Sequence, residues 1–152
     1  MNSEIIDASI ALELAVADLY FLFHELHPED SEFWWKMSLE ENGHAALLQS
    51  GRDSFMPFNK FPEELVTNSL SRLKSSRQYI NDKAKEIKKN PISRKQAFEL
   101  AMAIEETAGE HHYQEFMAKI QDNKINNIFQ KLNGADKDHA DRISSYLKKI
   151  DL

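Results

Sequence analysis

Two segments of this chain, residues 13–44 and 106–139, carry an acid, a tyrosine, an acid and a histidine in the same order. Nothing else in the sequence restricts its fold so strongly. Glu13 is followed seven residues later by Tyr20, and Glu106 seven later by Tyr113. Glu41 is followed three later by His44, and Asp136 three later by His139. From 13 to 106 is 93 residues, and from 41 to 136 is 95. Spacings of three and seven return a side chain to the same face of an α-helix. The rest of those faces is apolar: Ile6, Ile10 and Ala17 accompany Glu13, while Trp34, Met37 and Leu48 accompany Glu41 and His44. A carboxylate or imidazole aimed into a helical core has to be satisfied by something.

The remainder of the chain is suited to helices. It has only four glycines and four prolines in 152 residues, and no β-branched runs, which favours an all-α protein of one domain, residues 1–152. Helical periodicity is expected over about 3–26 and about 31–50, separated by "HPEDS", in which Pro28 breaks the helix and Asp30 or Ser31 can cap the next. Gly51 ends the second helix, and "GRDSFMPFNKFP" reads as a loop that packs down on the bundle. A third helix is expected over about 63–89, with Val66, Leu70, Leu73, Ile80, Ala84 and Ile87 along one stripe. Ser93 and Gln96 form a capping-box pattern ahead of a helix over about 94–120, and a last helix covers about 123–149.

If each half is an antiparallel hairpin, pairing Glu13 with Glu41 centres the first turn at residue 27, in "HPED". Pairing Glu106 with Asp136 centres the second at 121, in "QDN". Both centres fall on breaker residues. The expected architecture is therefore two hairpins, 3–50 and 93–150, joined by a long crossover, 51–92, that contains the helix at about 63–89. The stripe on 66–87 suits either a crossover helix lying on its own bundle or a seam between two copies. The long connection also permits exchange of hairpins, so a homodimer, domain-swapped in one form, is the expected assembly.

Several function classes fall away. A net charge of −6 and the lack of a basic stripe argue against nucleic acid. Zero cysteines excludes disulfides, thiolate zinc sites, iron–sulfur clusters and cysteine nucleophiles. The run "IALELAVADLYFLF" has no basic flank and is broken by Glu13 and Asp18, so neither a signal peptide nor a membrane span is expected, and the expected location is cytoplasmic.

Bringing the hairpins together would gather four carboxylates in an apolar interior, where they could not all stay ionised without compensation. Two divalent cations cancel four negative charges, and two histidines supply one neutral nitrogen to each. Oxygen and nitrogen donors without thiolate suit iron or manganese, and zinc accepts them too.

A Glu on each of two helices plus a Glu-x-x-His on each of two others is the pattern of the ferritin-like di-iron carboxylate bundles. Among these the sequence most resembles the rubrerythrins, through "ELAVADLY" (Glu13 to Tyr20), "EENGH" (Glu41, His44), "EETAGEHHY" (Glu106 to Tyr113) and "GADKDH" (Asp136, His139). The resemblance covers roughly residues 1–50 and 93–150. It implies a four-helix bundle in which Glu13 and Glu106 are terminal ligands, Glu41 and Asp136 bridge, and His44 and His139 each hold one of two irons. Tyr20 and Tyr113 match the family's tyrosines beside the ligands, and Glu40, Glu105 and Glu110, which flank the ligands, read as solvated or supporting residues, with Glu105 the alternative ligand should the register of its helix shift by one. Three departures stand out: Asp136 where the family has Glu, Gly109 where it has an additional Glu, and no cysteines for a rubredoxin domain.

The resemblance implies a peroxidase or oxidase that reacts with hydrogen peroxide or dioxygen in oxidative-stress defence, using electrons from an external donor such as a rubredoxin-like protein or another reductase. Two other readings fit the same residues: an iron oxidation and storage protein of ferritin type, and a non-catalytic helical protein that keeps its metals as structural pins.

Overall fold

The computed structural model describes residues 3–106, 115–118, 123–133 and 139–152, and among these the regular structure is entirely helical. The helices are α1 (Ser3–Leu26), α2 (Ser31–Phe55), α3 (Leu70–Lys89), α4 (Arg94–Glu105), α5 (Lys124–Asn133) and α6 (His139–Ile150). Residues 115–118 are helical as well. None of the described helices is long and apolar enough to cross a membrane. The expected second turn, centred at 121, lies outside the described residues.

α1 and α2 are joined at the first expected turn. His27 leaves the helical region ahead of Pro28, and Pro28–Asp30 form one 3-10 turn. The two helices then pack along each other: Ser38 Oγ donates to the Ala17 carbonyl at 2.8 Å, and Trp34 lies against Tyr20 and Phe23 with ring centroids 5.5 and 5.0 Å apart. Asp30 occupies the N-cap position of α2, yet its side chain does not cap. Both its oxygens instead accept from Arg94, Nε and Nη2 each at 2.7 Å, and Tyr146 donates to Oδ1 at 3.0 Å. Burial alone would raise this carboxyl, but Arg94 and Tyr146 hold it below its ordinary value. The first turn is thereby tied to the start of α4 and the end of α6.

α2 does not stop at Gly51 but continues to Phe55. The glycine serves packing instead: a Cβ there would lie 2.6 Å from Phe129 Cε1 and 3.1 Å from Phe61 Cε2. Of the phenylalanines that follow, Phe61 is buried and Phe58 is exposed. α3 starts at Leu70, later than 63, because Glu63–Leu65 form a 3-10 turn after Pro62 and Val66 is extended at φ −123°. The stripe survives as Leu73, Ile80 and Ile87, buried in the same apolar cluster as α1 residues. The Ser93–Gln96 capping box is formed in both directions, at 3.2 and 3.0 Å.

The apolar interior falls into two clusters. One gathers Val16, Tyr20, Phe23, Trp34, Met37 and Phe98 with the α3 stripe; the other gathers Ile6, Ile10, Ala45, Leu48, Phe61 and Phe129. Along α1 the change from one cluster to the other falls around Glu13, and along α2 it falls at Glu41 and His44. The polar residues form a buried layer between two apolar ones.

Candidate metal centre

Two groups of carboxylates and imidazoles occupy that layer: Glu13, Glu41 and His44, and Glu41, Glu105 and His139. All five residues are buried, and within each group the candidate ligand atoms lie within 4.8 Å of one another. Each arrives by helical spacing: Glu41 and His44 are adjacent on one face of α2, Glu13 approaches from α1, Glu105 from the end of α4 and His139 from the start of α6.

Glu41 belongs to both groups, and its two oxygens divide between them. Oε2 lies 3.3 Å from His44 Nδ1, which is also 3.6 Å from Glu13 Oε2. Oε1 lies 2.6 Å from His139 Nδ1, which is also 3.5 Å from Glu105 Oε1. The two imidazoles stack almost parallel, with centroids 5.3 Å apart and planes 13° apart. Tyr20 donates its hydroxyl hydrogen to Glu105 Oε1 at 2.6 Å, reaching from α1 to α4. On the outer side of His139, Nε2 lies 2.9 Å from Glu40 Oε2, and Arg142 Nη1 pairs with the same oxygen.

The electrostatics show what the group needs. Burial pushes the Glu13 carboxyl up to about 7, with the Glu41 charge adding to the shift and His44 opposing it. Burial likewise raises Glu105, despite its contacts with His139 and Tyr20. Burial acts on Glu41 in the same direction and is the largest single effect, but His139 and His44 together outweigh it and hold Glu41 below the carboxylate range. Burial alone would lower His139; the carboxylates of Glu41, Glu105 and Glu40 reverse this and raise it well above its usual value. Glu40 is held below its ordinary value because His139 and Arg142 outweigh its burial. Without a cation, the layer compensates its negative charge with protons.

Those protons do not complete the hydrogen bonding. Glu13 Oε2, both Glu41 oxygens and His139 Nδ1 are buried and make no hydrogen bond of acceptable geometry. Donor atoms that converge at short range without hydrogen-bond geometry between them are the arrangement a cation would satisfy. The residues present therefore fit a metal.

Of the residues read from the sequence, Glu13, Glu41, His44 and His139 are brought together, with Tyr20 beside them. Glu106 is not. It is exposed, at the C-terminal end of α4, and the neighbouring Glu105 is inside. The reason is the face that α4 buries: Ala97, Phe98, Ala101, Ile104 and Glu105 recur at helical spacing, and 106 falls off that face. Tyr113 and Asp136 lie outside the described residues. Glu40 and Arg142 were not assigned as site residues from the sequence; the cue available was Arg142 three residues after His139, on the same helical face. His24, also on the inner face, instead meets Ser31 at the end of the hairpin, with Nδ1 2.8 Å from Oγ. Comparison with known protein families, with characterised proteins and with solved structures finds no match to this chain.

Proposed function

We propose that this chain is a ferritin-like helical bundle that holds a dinuclear metal centre, with iron as the working metal, and that it reacts with hydrogen peroxide or dioxygen. The observation that carries this reading is Glu41, a fully buried carboxylate with one oxygen turned to each of two Glu/His groups. A carboxylate shared in this way suits a bridging ligand.

In this reading Glu13 and His44 would hold one ion and Glu105 and His139 the other, with Glu41 available to both. Two dications call for a fourth carboxylate, and the sequence spacing nominates Asp136, three residues before His139. Iron so bound would supply one-electron redox chemistry toward a small oxidant, with electrons returned by an external donor. The chain's own residues do the rest. Tyr20 orients Glu105 through its hydroxyl. Leu12, Leu48, Leu65 and Val66 wall off the Glu13 side around a cavity of about 10 Å³, which is room for about one water-sized molecule.

The test is metal content after growth with added iron, for the wild type and for Glu41→Ala plus His139→Ala, followed by the rate of peroxide consumption by Fe(II)-loaded protein. Two irons per chain, lost in the variant, together with metal-dependent peroxide consumption, are expected. Bound metal with no turnover would leave a structural metal site. Many more than two irons per chain would point to storage.

A further inference from the structure

Glu40 directly precedes the shared carboxylate, and one residue along a helix turns a side chain by about 100°. It is therefore not a member of either Glu/His group, yet it is not a solvated surface residue either. Its side chain is 23% exposed, and its Oε2 lies 2.9 Å from His139 Nε2 and pairs with Arg142 Nη1. His139 is fully buried, and its other nitrogen, Nδ1, faces Glu41 Oε1 at 2.6 Å and Glu105 Oε1 at 3.5 Å.

The two ring nitrogens thus meet different demands. A carboxylate in a salt bridge with arginine only accepts hydrogen bonds, so the nitrogen facing Glu40 must carry a hydrogen. In the neutral ring, Nδ1 is then left with the lone pair, on the side where Glu41 and Glu105 converge. We propose that Glu40, braced by Arg142, is a positioning residue that fixes His139 as the Nε2–H tautomer and so presents Nδ1 to a cation shared with Glu41 and Glu105. This rests on the dinuclear reading above. The brace is local in origin. Arg142 stands one turn after His139 on α6, so the helix that delivers the imidazole also delivers the guanidinium that anchors its partner. A carboxylate on the outer nitrogen of a metal-binding histidine raises the donor strength of the inner one and fixes the tautomer and orientation of the ring.

Co(II) titration and nitrogen NMR test this together. Wild-type protein should take up two Co(II). Glu40→Ala should weaken one of the two binding events by roughly ten- to a hundredfold and leave the other unchanged. Glu40→Gln keeps an oxygen that accepts from Nε2–H, and it should bind closer to wild type than the alanine variant does. In Zn(II)-loaded wild-type protein, long-range proton–nitrogen correlation should show His139 protonated at Nε2 and metal-bound at Nδ1. Should Glu40→Ala not fold, the glutamine variant and this spectrum decide.

Co(II) affinities in Glu40→Ala that are both unchanged from wild type, or a His139 bound through Nε2, overturn the inference while leaving the dinuclear centre standing. A wild-type protein that takes up no Co(II) overturns both.

Discussion

Glu41 and Asp30 are both buried carboxylates on the first hairpin, and they differ in what answers their charge. Asp30 is satisfied within the chain by a two-pronged contact from Arg94 and a hydroxyl from Tyr146. Removing the charge with Asp30→Asn leaves Arg94 partly covered and poorly paired. Because Arg94 retains access to water, with its side chain 31% exposed, the loss should be about 1–3 kcal/mol, below the figure for a fully buried pair. The folded-state value of Asp30 is depressed, so its contribution is present above the unfolded value of 3.8 and is lost as pH falls through the lower folded value. Urea unfolding of wild type and Asp30→Asn should thus differ at pH 6 and converge as the pH drops below 3.8. Glu41 is answered only by the imidazoles of His139 and His44, whose nitrogens approach its oxygens at 2.6 and 3.3 Å without hydrogen-bond geometry. Its removal should act on both metals. Glu41→Ala should bind none, and Glu105→Ala should retain about one per chain, as read by Co(II) stoichiometry.

At the scale of elements, α4 decides the site, and its register is testable. Glu106→Ala, on the exposed side, should change neither metal stoichiometry nor stability by more than about 0.5 kcal/mol, whereas Glu105→Ala should change the stoichiometry. The sequence reveals the faces of α1 and α2 well, because Glu13, Glu41 and His44 sit among apolar residues through long uninterrupted helices. α4 is harder to read. Treating residues 94–120 as one helix runs a stripe from Tyr113 and Met117 back through Glu106 to Met102, but α4 ends at Glu105 and buries a different face. The shorter run of Ala97, Phe98, Ala101 and Ile104 gives the buried face, and Glu105 lies on it. Gly51 was misread for a related reason: glycine usually marks a helix end, and here close approach of the Phe129 ring demands it inside α2. Gly51→Ala gains helix propensity but must displace that ring, so a net loss of about 1–3 kcal/mol is expected in thermal or urea unfolding. From the sequence Glu40 reads only as a residue flanking a ligand, solvated or supporting it, because its partners, His139 and Arg142, are about a hundred residues away, at separations of 99 and 102.

At the scale of the whole molecule, the Glu/His layer separates two apolar clusters that would otherwise adjoin. Three glutamates and two histidines are withdrawn from water there, each at a desolvation cost that protons offset only in part. A ligand that binds only the folded chain returns stability by mass action. At a hundredfold excess over Kd the gain is about 2.7 kcal/mol per site. In a domain of this size each kcal/mol moves Tm by roughly 2–4 °C, so two filled sites should raise Tm by roughly 10–20 °C. Differential scanning calorimetry of the wild type, with Co(II) and then with excess chelator, reads this directly. The shift should vanish with chelator and be absent in Glu41→Ala, whose two apolar clusters remain while the shared ligand is gone. A wild-type transition indifferent to Co(II) would mean that proton sharing alone satisfies the layer, and the polar residues would then be a structural seam between two halves of a core.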